Sequence, residues 1–134
     1  MDDYADAAKR HFQDAKILHQ QVPSRLANAS HLYGFAAECA IKCIMRGDGN
    51  NGKVPKGGTG HLPLLLREFE SHSIAKGNTA LQSRVRKYAH GFNNWSIDQR
   101  YHGQATILAQ TVEAEAESAQ KLLALSRHYL RKVV

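Results

Sequence analysis

Three stretches of the sequence place an arginine ahead of a histidine with four or five residues between them: Arg25 and His31, Arg67 and His72, and Arg84 and His90. The pairing has a chemistry. Histidine transfers protons to and from a ribose 2′-hydroxyl, and arginine stabilises the charge that develops on a phosphorane, which together suffice for a metal-independent ribonuclease. A chain with 8 histidines produces this spacing readily by chance, and the bland reading is a helix surface. Only Arg84 and His90 sit in a locally basic stretch, with Arg86, Lys87, Arg100 and His102, so they are the preferred catalytic pair. In the same stretch Trp95, Arg100, Tyr101 and His102 mix aromatic faces with cationic and hydrogen-bonding groups, a combination suited to stacking a base and holding a phosphate. The competing reading is that Trp95 and Tyr101 pin a loop while Arg100 pairs with a carboxylate such as Glu38.

A second polar group sits within an apolar segment. At 100° per residue Asn28, His31, Glu38, Lys42 and Arg46 fall on one stripe with Phe35 among them, the rest of the helix being apolar or small. Glu38 and Lys42 stand four apart in the favourable order, either as an ion pair worth about 0.2–0.5 kcal/mol or as the lining of a groove. Other motifs fail on inspection. The run GDGNNGKV, 47–54, has the spacing of a phosphate-cradling loop, but Val54 replaces the hydroxyl residue that would hold magnesium, and no strand precedes it. Cys39 and Cys43 are one helical turn apart without a second ligand pair, and read as buried small hydrophobes. With no zinc-protease or nucleophile-elbow motif either, the expectation is no metal and no cofactor.

Helices must position these residues. Tyr4, Ala8, Phe12, Ala15, Leu18 and Val22 recur at three-to-four spacing and predict a first helix over 2–21, stopped by Pro23. Ser24 is the expected N-cap of a second, very apolar helix ending at Arg46 before Gly47. Its wide apolar arc predicts a central helix packed on more than one side, and Gly34 predicts a neighbouring backbone crossing closely. A glycine-rich loop over 47–60 leads to a third helix from about His61, with Leu62, Leu65, Leu66 and Phe69 buried. A fourth helix is expected over 79–90, ended by Gly91, then a structured loop anchored by Trp95 and Ile97. A last long helix is expected over 104–133, with Leu108, Val112, Ala116, Ala119, Leu123, Ser126, Leu130 and Val133 on one face. No alternating strand pattern is present, so the expected class is all-α, an antiparallel up-and-down bundle of four to five helices.

Length and charge bound the rest. The 134 residues suit one domain, 1–134. The formal charge of +6 and pI near 9.5 favour polyanionic partners such as RNA or nucleotides. Two cysteines supply no disulfide framework and no apolar run is long enough to span a bilayer, so a cytoplasmic, membrane-free protein is expected.

Three segments in this order, HLYGFAAECAIKCIM, HLPLL and WSIDQRY ahead of a long last helix, resemble the HEPN family (higher eukaryotes and prokaryotes nucleotide-binding helical domain) across nearly the whole chain. The matching positions are Glu38 and Lys42, His61 and Leu62, and Arg100 and Tyr101. The resemblance implies an antiparallel helical bundle that forms a homodimer and associates with nucleotides, RNA or a partner nucleotidyltransferase, often in toxin–antitoxin or other defence systems. It also implies, for the RNA-cleaving members, an arginine and a histidine four to six residues apart at a composite site between subunits. His102 follows Arg100 too closely for that role, which leaves Arg84 and His90. The function expected is therefore nucleotide or RNA binding, with metal-independent endoribonuclease action through that pair; the alternative is a non-catalytic helical module that pairs with a nucleotidyltransferase or another partner.

Overall fold

The computed structural model describes residues 3–47, 60–75, 77–101, 103 and 106–130, the side chains at 73–75, 100 and 130 excepted. Every regular element among them is helical: α1 (Tyr4–Gln20), α2 (Leu26–Gly47), α3 (Leu64–Ala75), α4 (Thr79–Tyr88) and α5 (Ala109–Leu130), with 3₁₀ turns at Ala89–Phe92 and Ile97–Tyr101. The expected all-α class is what the chain adopts. No described helix is long and apolar enough to cross a membrane.

Helix α1 begins where the Asp3 carboxylate accepts the Asp6 N–H at 2.9 Å, satisfying one of the amides that a helix start leaves without an intrahelical partner. Its fully buried positions, Ala8 and Ala15, are small. The pairing with α2 is antiparallel: the Tyr4 ring lies 4.7 Å from the Arg46 guanidinium, His11 and Phe35 rings are 5.6 Å apart, and His19 Nδ1 is 3.0 Å from the Tyr33 hydroxyl. The turn between them differs from expectation. Helix α2 starts at Leu26, not directly after Ser24, and the Ser24 hydroxyl donates backward to the His19 carbonyl at 2.9 Å, closing the end of α1.

Helix α2 is the axis of the core, with Tyr33, Ala36, Ala37, Ala40, Ile41, Ile44 and Met45 at most 1% exposed. The wide apolar arc is used as its breadth requires: α1 covers one side and α5 another. Gly34 does mark a close approach, but of a side chain. A Cβ there would overlap the Trp95 indole, so the expected crossing backbone is an aromatic ring.

From the end of α2 the chain returns by way of α3 and α4. Leu65, Phe69, Leu81 and Val85 are buried, and Gln82 Nε2 donates to the Glu70 carbonyl at 3.2 Å. Helix α4 ends at Tyr88, and the 3₁₀ turn carries the chain past Gly91, where a Cβ would strike the Ala114 carbonyl of α5. Helix α5 begins five residues later than expected. Thr106 bonds back to the Gly103 carbonyl through both its N–H (3.2 Å) and its hydroxyl (2.7 Å), forming a separate turn. Leu108, expected on the buried face, therefore precedes the helix and is 58% exposed. The expected helix start at Gln104, its end at Val133 and the loop residues 48–59 lie outside the described residues.

Ser30, Cys43 and Gly47 of α2 meet Glu115, Ser126 and Tyr129 of α5 in that order. Helix α5 thus runs parallel to α2, the long return through α3 and α4 having brought the chain back to the first end of α2. This parallel placement sets Ser30 opposite Glu115.

Candidate functional site

Trp95 organises the segment between α4 and α5. The indole is 2% exposed, packs on Gly34 and donates its N–H to the Ser30 carbonyl at 2.9 Å, so a large apolar surface is buried with its one polar atom satisfied. Four residues on, Gln99 Nε2 donates to Ser30 Oγ at 2.9 Å, while Gln99 Oε1 accepts the Ser96 N–H at 3.1 Å. Ser30 in turn hydrogen-bonds the Glu115 carboxyl. A polar chain, Gln99 to Ser30 to Glu115, therefore crosses from the connecting segment through α2 to α5. It stops short of saturation: Glu115 is 2% exposed, and its Oε1 is buried without a hydrogen-bond partner among the described residues. Burial pushes this carboxyl up to about 7, with the Ser30 hydrogen bond pulling the other way.

Two clefts lie on either side of His90, one of them bordered by this chain. One, of about 550 Å³, is bordered by Ser30, His90, Asn93, Trp95, Gln99 and Glu115, with the polar side chains of Asn94, Gln110 and Thr111 on its rim. The other, of about 540 Å³, is lined by Arg86, Lys87, Lys121 and Glu117 among others. They share His90, Gly91 and Ala114. Gly91 packs closely on α5 in this shared wall, and the Gly91 N–H donates to Ser118 Oγ at 2.9 Å. His90, exposed and 3.1 Å from Asn93 Nδ2 through Nδ1, stands between the two. In the second cleft Arg86 bonds Glu70 at 2.8 Å and Lys121 bonds Glu117 at 2.9 Å, while Lys87 has no ion-pair partner among the described residues.

The residues singled out by sequence divide accordingly. His90 lines both clefts; Arg84 is exposed on α4 and lines neither. Trp95 borders the first, from a buried position. Tyr101 is 75% exposed. The Arg100 side chain and the whole of His102 lie outside the described residues, and so does the expected convergence of Arg100 with Glu38.

Glu38 is 3% exposed. Its carboxylate accepts the Leu62 N–H at 2.8 Å and faces His61 Nδ1 at 3.1 and 3.2 Å, fixing the chain as it enters α3. Burial raises its pKa, against the hydrogen bonds from His61 and Leu62 and the nearby Lys42 charge. Lys42 Nζ lies 5.9 Å from the Tyr4 ring. The polar stripe of α2 is thus divided: its C-terminal part meets Tyr4 and the approach to α3, while His31, nearer the start of the helix, stacks on Trp95 with ring centroids 6.0 Å apart. Cys43 is buried, and burial lifts the Cys39 thiol to about 11, far from the thiolate that metal binding needs.

Sequence reasoning missed Ser30, Asn93, Gln99 and Glu115. For Glu115 a signal existed. It follows Val112 by three and precedes Ala119 by four, which places it on the buried face of α5, although Glu113 and Glu117 beside it suggest a solvated acidic cluster. Comparisons of the chain with protein-family models, with curated proteins and with solved structures each found no match.

Proposed function

We propose that this chain is a HEPN-like nucleotide- or RNA-binding helical protein whose ligand site is the pair of clefts meeting at His90. The observation that carries the reading is their adjacency: a cleft lined by cationic side chains stands beside one bordered by amide, hydroxyl and carboxyl groups, the two sharing His90, Gly91 and Ala114 in their walls, which suits a ligand with an anionic backbone and hydrogen-bonding bases. The contact of Glu38 with His61 and Leu62 adds support, because it joins two of the three segments on which the family resemblance rests. In the nuclease form of the reading His90 moves the proton. Arg84, outside both clefts in its own chain, would act at the His90 of a second copy in a homodimer.

The test is binding of a labelled single-stranded RNA at increasing salt, together with a cleavage assay in chelator. Binding that weakens steeply with salt, and that Lys87→Ala reduces, supports the reading; binding indifferent to salt removes it. Cleavage lost in both His90→Ala and Arg84→Ala supports the nuclease form, and cleavage unchanged in both removes that pair.

The second reading, a non-catalytic module for a nucleotidyltransferase or other protein partner, is favoured by exposed apolar side chains at the end of α1, Ile17 at 59% and Val22 just beyond it at 97%. A chain that binds no RNA yet forms a complex abolished by Ile17→Lys and Val22→Lys would establish it.

A further inference from the structure

Glu115 is the one buried carboxylate oxygen bordering these clefts that the fold leaves without a donor, among the described residues. Leaving a buried acceptor unsatisfied is costly, so native structures seldom do it without a reason. The usual remedies do not reach this oxygen. Ser30 serves the carboxyl elsewhere, Gln99 serves Ser30 and Ser96, and the Trp95 N–H is spent on the Ser30 carbonyl. The Glu115 side chain borders open space of about 550 Å³, within the ~300–1,000 Å³ of small-molecule sites.

We propose that the Glu115 cleft holds the base of a nucleoside monophosphate unit, with Glu115 Oε1 accepting an N–H of the base and the phosphate lying past His90 against Lys87. This deepens the nucleotide reading above and rests on it. Above about pH 7, where Glu115 is ionised, it offers only acceptors and selects a base with a donor edge; guanine, with its amino and imino N–H groups, suits it best. The phosphate placement follows from charge. Arg86, Lys87 and Lys121 line the second cleft, Arg86 paired with Glu70 and Lys121 with Glu117, and the two clefts share His90, Gly91 and Ala114 in their walls. The amide side chains of Asn93 and Gln110 and the hydroxyl of Thr111 on the rim supply further partners for the sugar and the base.

The unit has two sources, a free nucleotide or one residue of an RNA strand. The experiment titrates the full chain with guanosine monophosphate, ribose 5-phosphate and a five-residue oligoribonucleotide by calorimetry, with backbone NMR to locate the perturbed amides. Guanosine monophosphate is expected to bind at least tenfold more tightly than ribose 5-phosphate and to shift amides at 90–99 and 110–115. Glu115→Met is expected to weaken guanosine monophosphate at least tenfold and leave ribose 5-phosphate unchanged, whereas Lys87→Ala weakens both alike. Thr111→Trp, an exposed position that fills the cleft without touching the core, should abolish base binding if Glu115→Met disturbs folding. Tighter binding of the oligoribonucleotide identifies RNA as the source, and tighter binding of the mononucleotide identifies the free ligand. Equal binding of ribose 5-phosphate and guanosine monophosphate, or wild-type affinity in Glu115→Met and Thr111→Trp, overturns the assignment. Long RNA bound without either short ligand overturns it while sparing the broader reading, and no binding of any of them overturns both.

Discussion

Glu115 couples the site to stability through its proton. Its carboxyl titrates near 7 in the folded chain because burial disfavours the charge, against an ordinary value of 4.5. The folded state therefore holds a proton that the unfolded chain releases between those limits. The stabilisation is complete below about pH 4.5 and is lost as pH rises through 7, with a span of about 3 kcal/mol. Other ionisable groups sit on every element packed around it: His31 on α2, Lys16 and His19 on α1, Arg86 and Lys87 on α4, His90 and Asp98 on the connecting segment, and Glu113 and Glu117 on α5 itself. Glu115→Gln isolates its share. Denaturant melts at pH 5 and pH 8 should show the wild type losing stability at the higher pH and the variant losing at least ~1 kcal/mol less; equal pH dependence in the two proteins would remove Glu115 as the cause. At the same scale, Gly34→Ala should destabilise by about 1–3 kcal/mol, because its methyl would have to displace the Trp95 ring from a packed core. Loss of tryptophan emission characteristic of a buried indole would report the displacement, and unchanged emission and Tm would contradict the packing described.

Among the elements, α3 depends most on a single distant side chain. Its entry has no acidic residue in its first turn, and Glu38 supplies the missing charge from α2 by accepting the Leu62 N–H and facing His61. Glu38→Ala leaves that N–H buried without its acceptor, a cost on the order of 1–3 kcal/mol. Hydrogen exchange should accelerate at residues 61–66 well before it does in α1 or α5. Uniform acceleration across all helices would instead make Glu38 a general core residue. Helix α4 and the turn after it depend on Gly91 in the same local way, and Gly91→Val should separate the 3₁₀ turn from α5 and break the junction of the two clefts. Far-UV circular dichroism should keep its helical signal while, on the proposed nucleotide reading, RNA binding falls at least tenfold; binding at the wild-type level would show that the junction is dispensable.

At the scale of the molecule, one sequence feature foretold the architecture and another concealed the site. The apolar arc of α2 announced a central helix, and the spacing of Val112, Ala119 and Leu123 announced the face of α5 that meets it, because burial of one side of a helix leaves a period that a linear sequence records. Helix starts were less legible. Ser24 and the stretch before Ala109 have composition compatible with capping or helix, and hydrogen bonds to the end of α1 and within the Gly103–Thr106 turn decided between the alternatives. The surroundings of the candidate clefts were legible in part: His90 and Trp95, which line them, stood out by type and by their basic surroundings. Ser30, Gln99 and Glu115 did not, since hydroxyl, amide and carboxyl side chains on amphipathic helices are ordinarily solvated.

Local periodicity and side-chain size therefore sufficed for the helical class, the central place of α2 and the close approach at Gly34. Long-range packing alone made α5 return parallel to α2, setting Ser30 against Glu115 and Gly91 against Ala114. That choice rests on contacts between residues 23 to 85 positions apart, and no local pattern encodes which distant polar groups will be buried together.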